Sequence, residues 1–201
     1  MDVVAVATDD PRIAAAAERA GATAIMTGPA ATGTDRVAEA ARKLRPAPEI
    51  VVNLQGDEPL IEPEAIEALL AAMAESGAEM GTLARPLEPG EAERPQVVKV
   101  VTDLSGHALY FSRALIPHRS EGGVSPLGRA HVGIYAFTAS FLERFARLAP
   151  GRLEGEEALE QLRALENGVR IRVADTAYRG FGIDTPEDLE RARALVAAST
   201  R

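Results

Sequence analysis

The sequence predicts an α/β fold, a three-layer Rossmann-like sheet, on three observations. Short apolar runs alternate with helix-like stretches through the first 84 residues. Helix entries carry their own signals, with Asp10-Pro11 and Thr185-Pro186 each pairing a capping residue with a proline suited to the first helical turn. After residue 84 the alternation gives way to consecutive strands, which predicts a small, partly antiparallel extension within residues 86–149 of one domain spanning 1–201.

In order, residues 3–7 read as a buried strand and 11–20 as a helix stopped by Gly21. A second strand is expected at 22–26, followed by the small and hydroxyl-rich loop 27–35 and a helix over 35–44. The apolar run 50–52 reads as a strand covered on both faces. Helix 63–75 opens on Pro63 and turns Ile66, Leu69, Leu70 and Met73 inward. Strands follow at 78–84, 97–102, 107–112 and 130–137, with Asp103–Gly106 as a hairpin turn. Helices are expected near 140–148, over 156–165 with Leu159, Leu162 and Leu165 inward, and from Pro186 onward, with a last strand at 169–174.

Composition narrows the function. With 22 basic against 30 acidic residues the net charge is −8, and no Lys/Arg block occurs, which argues against a nucleic-acid or anionic-membrane surface. The chain has no Cys, so disulfides and thiolate-bound metals are excluded. There is no signal-peptide pattern and no apolar run of about 18 residues. A cytoplasmic protein is expected.

The residues with chemical potential sit at strand ends. Val51 to Pro63 reads V-V-N-L-Q-G-D-E-P-L-I-E-P, so Asp57 follows a strand and a glycine turn, where ligands bind in open α/β sheets. Asp184 precedes a capped helix and, paired with Asp57, would offer Mg²⁺ two hard oxygen donors. Carboxylates about 4–6 Å apart would suit that pairing, given oxygen–metal bonds near 2.1 Å. Thr32, Gly33 and Thr34 bring hydroxyls and backbone N–H groups to a helix N-terminus, which suits a nucleotide as well as a plain cap. Arg113 follows one strand and His131 begins another, and either could bind a carboxylate or phosphate. Glu160 and Gln161 fall on an amphipathic helix, where such residues are normally solvated.

Taken together, these segments resemble one family. G-T-D-R (33–36), V-N-L-Q-G-D-E-P (52–59), V-V-K-V-V (97–101), A-L-Y-F-S-R-A-L-I-P (108–117), H-V-G-I-Y-A-F (131–137), L-E-Q-L-R (159–163) and G-I-D-T-P-E-D-L-E-R (182–191) occur in the family's order. The pattern is that of the 3-deoxy-manno-octulosonate (Kdo) cytidylyltransferases, the CMP-Kdo synthetases of lipopolysaccharide biosynthesis. The resemblance implies formation of CMP-Kdo and pyrophosphate from CTP and Kdo with Mg²⁺, by a homodimer assembled through the strands of 97–137. It assigns Asp57 and Asp184 to the metal. Thr32, Gly33, Thr34 and Gln55 fall to the nucleotide, and Arg113, His131, Tyr135, Glu160 and Gln161 to the sugar acid. Two alternatives are another sugar nucleotidyltransferase, of the sialic-acid type, and a binding form without catalysis. Arg113 and the stretch 131–135 argue against the first.

The chain departs from the family pattern in three places. Family members begin with a further strand and a P-A-R…G-K-P loop that holds the triphosphate, and about 40 residues of that kind are absent ahead of residue 1 here. Loss of a mid-sheet strand should expose apolar edges. Thr32 stands where the family usually has Ser, and the stretch after Pro117 is short and lacks the usual aromatic residue. The 201-residue chain is therefore expected to release little pyrophosphate from CTP and Kdo, and a form extended by such a segment orders of magnitude more. Pyrophosphate release by the two forms side by side, with Mg²⁺, checks this; full activity in the shorter one would mean that some other basic residue, Arg12 or Arg36 for example, already holds the triphosphate.

Overall fold

The computed structural model describes residues 3–56, 58, 60–179, 182–183 and 185–199. Its elements run β1 (Ala5–Thr8), α1 (Pro11–Arg19), β2 (Thr23–Met26), α2 (Gly33–Lys43), β3 (Ile50–Asn53), α3 (Pro63–Ser76) and β4 (Met80–Pro86). They continue through β5 (Lys99–Thr102), β6 (Ala108–Ser112), β7 (Arg129–Thr138), α4 (Ala139–Phe145), α5 (Arg152–Glu157), α6 (Leu162–Glu166), β8 (Ile171–Asp175) and α7 (Pro186–Ser199). The expected α/β class is the observed one. The chain divides into two compact units, Met1–Asn53 with Phe137–Leu148, and Leu54–Ala136 with Ala149–Arg201.

In the first unit, β1 and β2 pair in parallel from Ala5↔Thr23 to Thr8↔Met26, as a two-stranded sheet of their own. Asp10 caps α1 by accepting from the Arg12 amide (2.7 Å), and Pro11 fills the first helical position, as the sequence predicts. Strand β3 pairs with β7, whose last residues, Phe137 and Thr138, belong to this unit and lead into α4. The core here is aromatic. Phe137, Phe141 and Phe145 are buried, with ring centroids 5.9–6.3 Å apart.

In the second unit, β4 and β8 run parallel, while β5 is antiparallel to both β6 and β7. The first five residues of β4 are buried, the continuous apolar run of a strand covered on both faces. Helix α3 lies so close that a Cβ on Gly81 would sit 2.7 Å from Met73 Cγ and 2.9 Å from Leu69 Cδ1. Only glycine fits there. Strand β7 alternates strictly over 129–136, with Ala130, Val132, Ile134 and Ala136 in the core and Arg129, His131, Gly133 and Tyr135 on a half-open face. The antiparallel strands after residue 84 match the expected extension, and the Asp103–Gly106 turn closes with Gly106 at φ 77°.

Several sequence expectations need correction. The runs 3–7 and 50–52 are not fully buried: Val3, Val4 and Ile50 are exposed, and Val51 and Val52 half-buried. Among the described residues β1 and β2 pair only with each other, so each leaves one edge of that sheet open. Helix α2 starts at Gly33, not at Asp35, because Thr32 is its cap and Asp35 holds the third helical position. The helix expected over 156–165 is two helices, α5 and α6, separated by Ala158 at φ 51°, so Glu160 and Gln161 stand in a turn instead of on a solvated helix face. Among the described residues no helix is long and apolar enough to cross a membrane.

Truncating Phe141, the ring in contact with both others, should cost about 3–5 kcal/mol. Thermal unfolding of Phe141→Ala, followed by circular dichroism, is expected to show a clear fall in Tm.

Candidate active site

Arg113 follows directly from the end of β6, and among the described residues each hydrogen bond from its guanidinium goes to a backbone carbonyl. Nε donates to Glu157 O (2.8 Å), Nη1 to Pro95 O (3.2 Å) and Nη2 to Ala158 O (3.3 Å). A guanidinium carries five N–H donors, so one on each terminal nitrogen is left by these three bonds. Among the described residues no carboxylate forms an ion pair with it. Its backbone is equally fixed, since the Glu157 carboxylate accepts from the Arg113 amide (2.9 Å) and from Ser112 Oγ (2.6 Å). These bonds hold the Glu157 carboxyl below the ordinary glutamate range, although burial acts against them as the largest single influence.

The same contacts explain the broken helix. The Glu157 and Ala158 carbonyls, which a longer α5 would turn toward the amides four residues on, accept from Arg113 instead. Two residues later come Glu160 and Gln161. Glu160 lies 3.7 Å from Arg163, which is itself buried and held by Glu154 at 2.5 Å. Gln161 is 3 % exposed, and its Nε2 has no hydrogen-bond partner among the described residues. Buried amides without a partner are rare in folded chains.

Strand β7 presents His131 and Tyr135 on its half-open face, four residues apart, with ring centroids separated by 5.5 Å. Phe111 stands edge-on to His131 at 5.0 Å. The hydrogen bonds fix the imidazole tautomer. Thr82 has one hydroxyl proton, and its best acceptor is Ile134 O at 2.8 Å, so its oxygen accepts from His131 Nε2 at 2.9 Å. Nδ1 is then the bare nitrogen. Burial pushes the His131 pKa from 6.5 down to about 3, which keeps the ring neutral. Burial, with the negative charge of Glu160 second, raises the Tyr135 phenol and keeps it protonated. That electrostatic coupling links β7 to the turn carrying Glu160 and Gln161, and Arg113 is bonded to the same segment at 157–158. Of the five residues expected at the sugar acid, Arg113 is thus bonded to the segment that leads into Glu160 and Gln161, and His131 and Tyr135 neighbour each other on β7.

The remaining candidates are more scattered. In the first unit, Thr32 is half-buried and caps α2 through its hydroxyl oxygen, which accepts from the Asp35 amide (3.1 Å). Gly33 is exposed and Thr34 buried. Arg36 is engaged by Thr27 Oγ1 (2.8 Å) and Asp9 (3.0 Å), and Arg12 by Asp10. In the second unit Gln55 is exposed, and its carbonyl accepts from the Glu58 amide (3.1 Å). Glu58 in turn accepts from the Tyr178 hydroxyl (2.7 Å). Asp57 and Asp184, with the Mg²⁺ role expected for them, lie outside the described residues. Among the described residues no cluster of three His, Asp or Glu side chains could hold a metal.

Sequence reading missed Thr82 and Glu157. Glu157 stands in E-G-E-E-A, which looks like solvated charge, and Thr82 sits in an apolar strand without a motif. Neither has a local signal, because the partners of both are distant in sequence.

Several known proteins are similar to this chain as a whole. A family model described as Cytidylyltransferase matches residues 1–171. A 3-deoxy-manno-octulosonate cytidylyltransferase of Anaeromyxobacter sp. (strain Fw109-5) is 79% identical over 201 residues, covering 100% of this chain and 82% of that protein. The protein of the same name from Myxococcus xanthus (strain DK1622) is 50% identical over 198 residues, 98% of this chain and 80% of its own length. The solved structure of a CMP:2-keto-3-deoxy-manno-octonic acid synthetase complexed with CTP superposes with a TM-score of 0.91 at 40% identity, covering 99% of this chain and 82% of that one. A 4-diphosphocytidyl-2C-methyl-D-erythritol synthase from Anaerococcus prevotii DSM 20548, at 17% identity and a TM-score of 0.61, shares the fold alone.

The depressed His131 pKa gives a pH signature. The unfolded chain takes up the imidazole proton first, so this contribution to stability is complete above about pH 6.5 and is lost as pH falls toward 3. Between pH 7 and pH 5 the loss should be roughly 1–2 kcal/mol. Urea unfolding of the parent and of His131→Gln at both pH values checks it. The substitution should flatten the pH dependence by that amount, and parallel curves would contradict the assignment.

Proposed function

The chain belongs to the cytidylyltransferase family, and from that membership we propose that it transfers CMP from CTP to 3-deoxy-manno-octulosonate, with release of pyrophosphate. The 2-hydroxyl oxygen of the sugar acid attacks the α-phosphorus of CTP. The bond from that phosphorus to the bridging oxygen of the β-phosphate breaks, and the hydroxyl proton leaves to solvent. Such transfer depends mainly on in-line positioning and on neutralising phosphate charge.

The observation that carries the reading is Arg113, a fixed guanidinium whose ligands are all neutral carbonyls. Its two remaining donors suit the two oxygens of a carboxylate, and no resident carboxylate has to be displaced. In this reading Arg113 binds the sugar carboxylate. His131, through its bare Nδ1, accepts from a sugar hydroxyl, Tyr135 stays neutral as a donor, and Glu160 with Gln161 bonds further hydroxyls. The unpartnered Nε2 of Gln161 supports that role. On the nucleotide side, Thr32, Gly33, Thr34 and Gln55 are assigned to the cytidine of CTP.

Mg²⁺ is the proposed cofactor, with Asp57 and Asp184 as its protein ligands, because two carboxylates are the hard donor set this ion prefers. When bound, it would offset phosphate charge. Residues 86–149 serve as the sugar-binding and dimerising extension of one nucleotidyltransferase domain. The exposed apolar side chains Leu104, Leu109 and Leu127 support a homodimer through this segment. A cytoplasmic location is proposed with it.

Replacing Arg113 by Ala tests the assignment. An Arg–carboxylate pair in a partly closed site is worth about 2–4 kcal/mol, so binding of the sugar acid should weaken roughly thirty- to thousandfold. Affinity for CTP should stay near that of the parent, both measured by calorimetric titration. Equal losses for both ligands would move Arg113 to the phosphates and remove the carboxylate reading.

A further inference from the structure

V-V-K-V-V is the one quoted motif to which the function above gives no task, and its lysine is unusual. Lys99 opens β5, paired with Ser112 of β6 on one side and Ala130 of β7 on the other. It is 0% exposed, in a chain whose other lysine, Lys43, lies at the surface. Its ammonium has three protons, and three carbonyls take them: Arg94 O (3.0 Å), Val97 O (2.8 Å) and Arg113 O (2.5 Å). None is charged. Burial lowers the Lys99 pKa, so holding this cation here is costly.

The three carbonyls are not scattered. One belongs to Arg113 itself. The other two bracket Pro95, whose own carbonyl receives Arg113 Nη1. One buried ammonium therefore fixes the backbone of the arginine and also the strand-entry segment against which its side chain rests. We propose that Lys99 is a positioning residue that acts through Arg113, aiming the guanidinium for a carboxylate without touching the substrate. The proposal rests on the reading of Arg113 as the sugar-acid ligand. An apolar residue could fill the same space, but it would take the ammonium from the Val97 and Arg113 carbonyls, leave Arg94 O with the Val97 amide alone, and release both supports of the arginine.

A double-mutant cycle separates this role from plain core packing. Lys99→Met, Arg113→Ala and the double variant are titrated calorimetrically with 3-deoxy-manno-octulosonate and, separately, with CTP. Lys99→Met should weaken sugar binding about tenfold or more and leave CTP within about twofold. In the Arg113→Ala background it should have no further effect on the sugar. The Arg113 Nε–H resonance, slow to exchange in the parent, should become fast in Lys99→Met.

Equal losses for sugar and CTP, additive effects in the cycle, or an unchanged resonance would each overturn the proposal. If Lys99→Met does not fold, Lys99→Gln replaces it, and failure of both would show that Lys99 builds the core instead of aiming Arg113. If the parent itself fails to bind the sugar, the function proposed above is wrong. The resonance then decides alone whether Lys99 holds the arginine.

Discussion

The two-residue period of β7 is the constraint on which the second unit depends. Side chains on a strand must alternate, so the residues that bury Ala130, Val132, Ile134 and Ala136 oblige His131 and Tyr135 to share the opposite face. A slip of one residue would put an imidazole and a phenol into the core and four apolar side chains outside. Core stability thus fixes the spacing of the two rings. Thr82 then adds orientation: its single proton goes to Ile134 O, the nearer of two carbonyls in reach, which leaves its oxygen to accept from His131.

Electrostatics in this unit follow from which partners are charged and which are neutral. Arg163 is buried against Glu154, a pair that satisfies itself, with Glu160 further off. Arg113 is held by carbonyl dipoles, which orient a guanidinium but leave its charge in place. The difference matters in a chain of net charge −8, where an anionic ligand meets an unfavourable overall field. A fixed cation whose guanidinium is held by carbonyls can offset that field locally, although the Glu157 carboxylate beside Arg113 takes up part of its charge.

What the sequence made legible was whatever depends on near neighbours. The Asp10-Pro11 entry, the Thr185 cap, which accepts from the Asp188 amide at 3.2 Å, and the strand pattern of 130–137 were all readable, because a few adjacent residues decide each. The break at Ala158 was not. Leu159, Leu162 and Leu165 have helical spacing, and nothing near them shows that the preceding carbonyls are claimed by Arg113, about 45 residues earlier. For the same reason the residues proposed for the sugar acid could be named only by resemblance to a family. Arg113, Tyr135 and Glu160 carry no local mark of the contacts that relate them.

The first unit shows the other limit of such reading. Apolar runs at 3–7 and 50–52 have the composition of strands covered on both sides, yet Val3, Val4, Met26 and Ile50 are exposed. Composition reports the surroundings a strand is suited to, and pairing decides whether it has them. Strands β1 and β2 satisfy each other in parallel, while β3 finds its partner in β7, so among the described residues β1 and β3 share helix α2 but no neighbouring strand. The buried rings of Phe137, Phe141 and Phe145 cluster along the end of β7 and α4, and the bond from the Ala139 amide to Glu49 O (2.9 Å) ties the start of α4 to the residue before β3. Burial of three rings does not depend on a complete sheet, which is why α4 can anchor a unit whose strands remain partly uncovered.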